Sequence, residues 1–195
     1  MPISRVLLTL LFLLVAAFPV FAVEAIDDRQ LIVGGDHNYP PYEFLDETGQ
    51  PTGFNVELTR AVAEIMGMDI QIRLGNWGDM RQLLAAGEVD ILQGMVNTPE
   101  RRSEVDFTIP HAKTYQSIWI RSGSPIEELD DLAGKQVIVM RNAVMHDFML
   151  QHPELDALVT PVNTLEDALR KLSAGDADAA LVAKLPGEYL LDRQG

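Results

Sequence analysis

Short apolar runs alternate with segments of helical periodicity along this chain, and this alternation restricts the possible folds more than any other feature. Residues 30–34 form a compact apolar run that ends in glycine, as a buried strand does. In residues 54–66 the apolar side chains recur at steps of three and four, and Gly67 then ends the predicted helix. The pattern predicts an α/β protein whose strands pair mainly in parallel.

The remaining elements follow the same alternation. We predict strands at residues 69–73, 90–94, 136–140, 158–162 and 179–182, and helices at 77–86, 143–151 and 165–174. Residues 84–91 and 172–179 share one order: a helix end, a glycine, an acidic residue, and an aspartate before a strand. Two copies of one unit indicate two similar lobes, with residues 122–125 as a candidate boundary; chance is the alternative, because such turns are common.

The first 25 residues have the organisation of a secretory signal peptide. Arg5 precedes a run over residues 6–23 that is apolar except for Thr9 and contains Pro19, and small residues suited to cleavage follow. The alternative is an uncleaved membrane anchor, because the run is almost long enough to span a bilayer. We expect residues 1–25 to be removed and the remainder to be exported to the periplasm as a soluble protein.

Composition excludes several classes of function. The 195-residue chain has 29 acidic and 15 basic side chains and a formal net charge of -14, which disfavours a nucleic-acid partner. Its lack of cysteine excludes disulfides, thiolate metal sites and a cysteine nucleophile. No two of the four histidines are spaced four residues apart, as a pair of ligands on one helix face would be. We therefore predict neither a metal site nor a cofactor.

Several motifs resemble those of a known family. They lie at residues 36–44, 49, 53–58, 87–90, 94–102, 105–110, 131–135 and 176–180. In this order they look like an extracellular solute-binding protein of family 3, the type that binds polar amino acids. The likeness extends from about residue 31 to residue 191, which is nearly the whole of the predicted exported chain.

The resemblance implies a periplasmic binding protein-like, two-lobed clamshell of type II, which closes on a small solute held at its hinge. On this basis lobe 1 covers residues 26–116 and lobe 2 covers residues 117–195. In the family the chain then returns to lobe 1, whereas this sequence ends at Gly195. We therefore expect lobe 2 to be incomplete and the fold to be C-terminally truncated.

The resemblance also implies ligand-binding residues. Arg101 matches an arginine that binds the ligand carboxylate, and Gly94 lets the backbone approach the ligand closely. Tyr39 and Trp77 match aromatic residues that cover the ligand, although core packing is the alternative for both. Asp36 matches an acid that often faces the ligand, and its alternative is to cap a turn. For Arg101 the alternative is a solvated surface charge.

Other predicted site residues depart from the family pattern. Val96, just after Met95, stands where amino-acid binders have Thr or Ser. Arg141 and Asn142 begin the lobe 2 loop that normally offers donors to the carboxylate. Ala183 stands where an acid usually receives the α-ammonium group, and a desolvated, unpaired ammonium costs several kcal/mol. We therefore expect a small polar or anionic solute without an amine, or a domain that signals without a tight ligand.

The resemblance leaves three functions open. The first is the substrate-binding component of an ABC importer for amino-acid-like or carboxylate solutes, partnered by the transporter permease. The alternative is the extracellular ligand-sensing domain of a membrane-bound histidine kinase or diguanylate cyclase, partnered by a C-terminal signalling module. The third is an enzyme, related to cyclohexadienyl dehydratases or fused to a lytic transglycosylase. A dehydratase needs a positioned acid–base pair, for which Asp36 and Glu43 are candidates only by elimination, so we predict no enzyme.

Overall fold

The structure is a computed structural model and describes residues 29–194. The predicted signal peptide at residues 1–25 lies outside the described residues. Within them, ten strands and five helices follow one another in the alternating order that the sequence predicts. None of the helices in this range is long and apolar enough to cross a membrane.

The elements are short, as expected for an α/β protein of this size. The strands are β1 (Leu31–Asp36), β2 (Asn38–Tyr39), β3 (Glu43–Leu45), β4 (Pro51–Thr52), β5 (Ile70–Gly75), β6 (Ile91–Leu92), β7 (Gln116–Ile120), β8 (Gln136–Met140), β9 (Leu158–Val162) and β10 (Ala179–Ala183). The helices are α1 (Phe54–Met66), α2 (Trp77–Ala85), α3 (Val144–Gln151), α4 (Leu165–Ala174) and α5 (Lys184–Gln194). Single 3₁₀ turns lie at Arg101–Ser103, Leu129–Leu132 and Pro153–Leu155.

The first lobe is built on a parallel sheet with the strand order β5–β1–β6. The helix α1 ends at Gly67, whose φ of 66° is left-handed, as predicted for its C-terminus. A second, antiparallel sheet of β2, β3 and β4 lies between β1 and α1 along the chain. The sequence pattern missed this small sheet because its strands are too short to show a period of two.

The second lobe is built on a four-stranded sheet with the order β7–β10–β8–β9. The strands β10, β8 and β9 are parallel, as predicted, whereas β7 runs antiparallel to β10. All five residues of β10 are buried, because helices cover both faces of the sheet. Leu165 and Leu169 of α4 pack on one face, and Met149 of α3 packs on the other.

The chain crosses from the first sheet to the second between β6 and β7. Because β7 begins at Gln116 and pairs with β10, it belongs to the second lobe. The turn at residues 122–125 follows β7 and lies inside that lobe, so the boundary predicted there is wrong. The crossing segment carries the 3₁₀ turn Arg101–Ser103, and this turn places Arg101 where the lobes meet.

The unit that the sequence repeats has the same local structure in both lobes. The glycines that follow α2 and α4 both have positive φ, 73° and 87°. The backbone N–H of Asp90 donates to the Ile32 carbonyl (2.9 Å), and the Asp90 carboxylate accepts from the Ile32 N–H (2.8 Å). Asp178 makes the same two bonds with Gln136 (2.9 Å each). Each aspartate therefore ties the start of one strand to its neighbour, so the repeated sequence unit has the same local structure in both lobes.

Candidate functional site

A cavity of about 50 Å³ lies between the two lobes. From the first lobe it is lined by Asp36, Tyr39, Glu43, Trp77, Gly94, Val96 and Arg101, and from β7 and the rest of the second lobe by Gln116, Met140, Ala143, Val144, Met145, Leu165, Leu181, Val182 and Ala183. Both lobes therefore contribute side chains to one cavity, and small-molecule sites are commonly found at such an interface between two structural units.

Arg101 lies at the cavity and is almost fully buried, with 2% of its surface exposed. This burial excludes the solvated surface charge that was the alternative for it. Its Nη2 and Nε groups donate to one carboxylate oxygen of Asp147 in the second lobe, at 2.8 and 3.2 Å, and Nη1 lies 3.4 Å from the Val96 carbonyl. Burial lowers the pKa of Arg101, and the ion pair with Asp147 opposes that shift. The guanidinium therefore depends on a carboxylate partner for its stability inside the protein.

Asp36 ends β1 and offers a carboxylate oxygen to the cavity. Its Oδ1 accepts from the backbone N–H of Asn38 (2.7 Å), whereas its buried Oδ2 has no hydrogen-bond partner among the described residues. Burial raises the pKa of Asp36 to about 6, against the opposing effects of the Asn38 N–H and of His37. The carboxyl is therefore mainly ionised at pH 7 and can accept a hydrogen bond from a donor in the cavity.

Glu43 lies beside Asp36 and is also buried. Its Oε1 accepts from the backbone N–H of Asp36 (2.8 Å), and its Oε2 accepts from the side-chain amide of Asn55 (2.9 Å). Burial raises the pKa of Glu43 to about 8, although both hydrogen bonds act in the opposite direction. Gly94 has a φ of 73°, and a Cβ there would lie 2.8 Å from Glu43 Oε1. A side chain at position 94 would therefore collide with this carboxyl group, and Gly94 also lines the cavity.

The two aromatic residues predicted from the sequence both line the cavity. Tyr39 is half-buried and stacks on Tyr42, with 5.8 Å between the ring centroids. Burial raises the pKa of Tyr39, so its hydroxyl stays protonated. Trp77 is buried and packs in one apolar cluster with Ile138 and Met140 of the second lobe. Trp77 therefore packs in the core, and it also lines the cavity.

Asn142 contributes to the site through its backbone. Its carbonyl oxygen accepts from Trp77 Nε1 (2.9 Å), from Arg81 Nη1 (2.8 Å) and, at a longer 3.4 Å, from Arg101 Nη2. Asn142 has a φ of 57°, and its own N–H donates to His146 Nδ1 (3.1 Å). Asparagine tolerates this left-handed conformation, which turns the carbonyl towards the first lobe.

Sequence reasoning missed two residues that join the lobes. Arg81 donates to the Asp147 carboxylate (3.3 Å) and to Glu104 (3.2 Å). Arg81 could have been found, because it lies four residues after Trp77 and hence on the same face of α2. Asp147 lies in the first turn of α3 and belongs to no motif in the sequence, so only the fold identifies it.

Three of the predicted site residues are not among those that line the cavity: Met95, Arg141 and Asn142. Arg141 is exposed, and its guanidinium lies 3.4 Å from the Asn163 side chain and 3.3 Å from the Pro161 carbonyl, at the end of β9. In this arrangement Arg141 does not line the cavity beside Arg101. Met95 packs against the shared apolar cluster, and its neighbour Val96 does line the cavity.

The cavity has the features of a small-molecule binding site. It combines a guanidinium, an ionised carboxylate, two aromatic rings and an apolar wall, as such sites commonly do. Beside Asp36, Glu43 accepts hydrogen bonds at both carboxyl oxygens within the first lobe. Within residues 29–194, no group of three or more His, Asp or Glu side chains is placed to hold a metal ion.

Comparison with known proteins identifies relatives of the chain. Residues 31–184 match the family described as bacterial extracellular solute-binding proteins, family 3. The arginine-binding extracellular protein ArtP of Bacillus subtilis is 30% identical over 91% of this chain, and the match covers 74% of ArtP. The chain spans 59% to 74% of the length of several such curated binding proteins.

Two further matches are to proteins of other classes, a sensor domain and an enzyme. A solved histidine kinase sensor domain, described as similar to periplasmic binding proteins, is 43% identical with a TM-score of 0.79, and the match covers 85% of this chain and 73% of that one. Membrane-bound lytic murein transglycosylase F of Ectopseudomonas mendocina is 29% identical over 74% of this chain, and the match covers only 31% of that enzyme. The matches confirm the periplasmic binding protein fold and include both binding and signalling proteins.

Proposed function

Since the chain belongs to family 3 of the bacterial extracellular solute-binding proteins, we propose that it binds a small solute between its two lobes, outside the cytoplasm. The observation that carries this proposal is the buried guanidinium of Arg101 on the cavity wall. A buried cation costs several kcal/mol unless it is paired, so a protein keeps one where it has a charge to bind. The planar guanidinium suits a carboxylate, which accepts two of its N–H groups.

The same cavity supports an amino-acid-like solute. Ala183 lines the second lobe's side of the cavity, so that lobe offers no acid there for an ammonium group. Asp36 instead supplies an ionised oxygen without a described partner from the first lobe. The cavity therefore suits a solute with an amine, in contrast to the amine-free solute expected from the sequence: Arg101 would hold the carboxylate, and Asp36 would accept from the amine or another donor. The arginine-binding relative ArtP supports the same class of solute.

Isothermal titration calorimetry with three probes tests this assignment. L-arginine and L-glutamine each carry a carboxylate and an ammonium group, whereas succinate carries carboxylates alone. We expect heat of binding with at least one of the two amino acids, and weaker or no binding of succinate. Tight binding of succinate alone would contradict the role proposed for Asp36. The absence of binding of all three would contradict the proposal of an amino-acid-like solute.

We further propose that solute binding serves signalling. The observation that favours this output is the 43% identity with a histidine kinase sensor domain, compared with 30% identity with ArtP. A clamshell that closes on a solute can shift the equilibrium of an attached membrane protein, because the solute prefers the closed state. Delivery of the solute to an ABC permease is the alternative output, and it uses the same closure.

Deletion of the gene in its own host distinguishes the two outputs. The cells are given L-arginine or L-glutamine, whichever binds in calorimetry, in radiolabelled form. If the protein is a sensor, we expect cells without the gene to take up the label normally and to lose the transcriptional response to that amino acid. An importer component predicts the reverse, with slow uptake at low amino-acid concentration, and this result would overturn the signalling proposal.

A further inference from the structure

Most of the hydrogen bonds between the two lobes converge on one short segment of the second lobe, residues 142–147, and a further one joins Asn38 to Glu166 (3.3 Å). The Asp147 carboxylate accepts from Arg101 and from Arg81, and the Asn142 carbonyl accepts from Arg81 and Trp77. All three donors belong to the first lobe. Two ion pairs of the described residues therefore join the lobes here, and both of them use the Asp147 carboxylate.

Asp147 pairs with the Arg101 guanidinium, to which the proposed function assigns the solute carboxylate. The Nε and Nη2 of Arg101 both point at Asp147 Oδ2. These two N–H groups form one edge of the guanidinium, and an edge of this kind is the surface that binds a carboxylate in a fork. A solute carboxylate on the same edge must displace Asp147 or share the guanidinium with it.

The burial of Arg101 couples this ion pair to the separation of the lobes. The side chain of Arg101 is 3% exposed and that of Arg81 is 18% exposed, whereas that of Asp147 is 30% exposed at the rim. If Asp147 loses its charge while the lobes stay together, a buried guanidinium remains without a carboxylate. Separation of the lobes hydrates Arg101 and removes that penalty. The loss of one negative charge therefore favours the open arrangement.

We propose that Asp147 is an internal counter-ion that holds the two lobes together by occupying the solute-binding Arg101 and its neighbour Arg81. In this arrangement the chain's own carboxylate takes the place of a solute carboxylate. Closure then does not require a solute, and an incoming carboxylate has to compete with Asp147. The inference rests on the proposed role of Arg101, but the distance between the lobes can be measured without any solute.

The chain has no cysteine, so two introduced cysteines carry the only nitroxide labels. Glu64→Cys on α1 and Ser173→Cys on α4 place one label at an exposed position of each lobe. Double electron–electron resonance on the solute-free protein then measures the distance between the lobes. We expect a longer and broader distance distribution in Asp147→Asn than in the otherwise unchanged chain. An unchanged distribution in Asp147→Asn would overturn the proposal.

Two further variants complete the experiment. Asp167→Asn makes the same charge change, but Asp167 pairs with Arg170 of its own helix, so we expect no change in distance. If Asp147→Asn does not fold, the same distance measurement on Arg81→Gln tests the proposal, because this variant removes one of the two cations that pair with Asp147. We expect the distance between the labels to lengthen less in Arg81→Gln than in Asp147→Asn. An unchanged distance in Arg81→Gln would also contradict the proposed role of Asp147. Because no solute is present, a failure of the calorimetric screen leaves this result interpretable.

Discussion

The two walls of the cavity differ in kind. Among residues 29–194 the buried polar or charged side chains all belong to the first lobe, and they are Asp36, Glu43, Asn55, Gln93 and Arg101. The second lobe faces them with apolar side chains such as Met140, Leu181 and Val182. Its polar contribution comes from the Asn142 carbonyl and from Asp147 at the rim. The first lobe thus carries the buried charges of the cavity, and the second lobe faces them with a mainly apolar surface.

The difference follows from the cost of burying polar groups. A buried carboxyl group is tolerated when fixed partners satisfy it, and partners from the same lobe stay in place when the lobes separate. Asp36, Glu43 and Asn55 are linked by hydrogen bonds within the first lobe, so their positions do not depend on closure. We therefore expect a solute to bind the first lobe before the second lobe closes over it.

The largest expected effect is that of Arg101→Ala, which removes the cation from the polar wall. Truncation of one partner of a buried, hydrogen-bonded charge pair costs about 2–5 kcal/mol, which corresponds to a loss of affinity of roughly 30-fold or more. Calorimetry with L-arginine and L-glutamine measures this loss. Arg102→Ala removes the exposed neighbouring arginine and is expected to leave the affinity unchanged. Equal affinities of the two variants would show that Arg101 does not contact the solute.

Glu43→Gln tests how the polar wall of the first lobe affects the pH dependence of the free energy of unfolding. Burial holds the pKa of Glu43 near 8, above the ordinary value of 4.5, so the folded protein retains a proton that the unfolded chain releases. The stabilising effect of this proton is complete below about pH 4.5 and is lost as the pH rises through about 8. A shift of this size corresponds to several kcal/mol.

Thermal unfolding of the wild-type chain and of Glu43→Gln across this pH range tests the effect. Glutamine does not titrate, so the variant is expected to lose less stability than the wild type as the pH rises. Glu64→Gln changes an exposed glutamate of the same lobe and should keep the wild-type slope. Parallel slopes for the wild type and Glu43→Gln would mean that Glu43 titrates normally.

Asp36→Asn has a smaller expected effect, because it removes the charge but keeps an oxygen at the cavity. A hydrogen bond to a charged group contributes about 1.5–3 kcal/mol, so affinity for an amino acid should fall about 10- to 100-fold. In the wild type the same affinity should fall as the pH is lowered through about 6, because the pKa of Asp36 lies there and protonation removes its charge. Calorimetry at several pH values measures both effects, and a pH-independent affinity in the wild type would contradict them.

How much of this the sequence could predict depends on the distance along the chain over which each signal acts. The repeat around Asp90 and Asp178 was predictable, because a turn and its neighbouring strand are set by local residues. Arg101 was predictable from its motif, but its partner Asp147 was not, because the pair joins two lobes that only the fold brings together. The position of Arg141 was not predictable either, because its guanidinium lies at the end of the neighbouring strand β9, and only the fold brings that strand beside it.

The smallest expected effect tests whether the second lobe contributes more than an apolar cover. Trp77→Phe keeps an aromatic ring in the apolar cluster that the lobes share but removes the Nε1–H that donates to the Asn142 carbonyl. One such bond contributes about 0.5–1.5 kcal/mol. Because the lost bond crosses the cleft, the open state should gain population, and the distance between labels on Glu64→Cys and Ser173→Cys should lengthen slightly. A fall in thermal stability without any change in that distance would show that Trp77 serves packing and not closure.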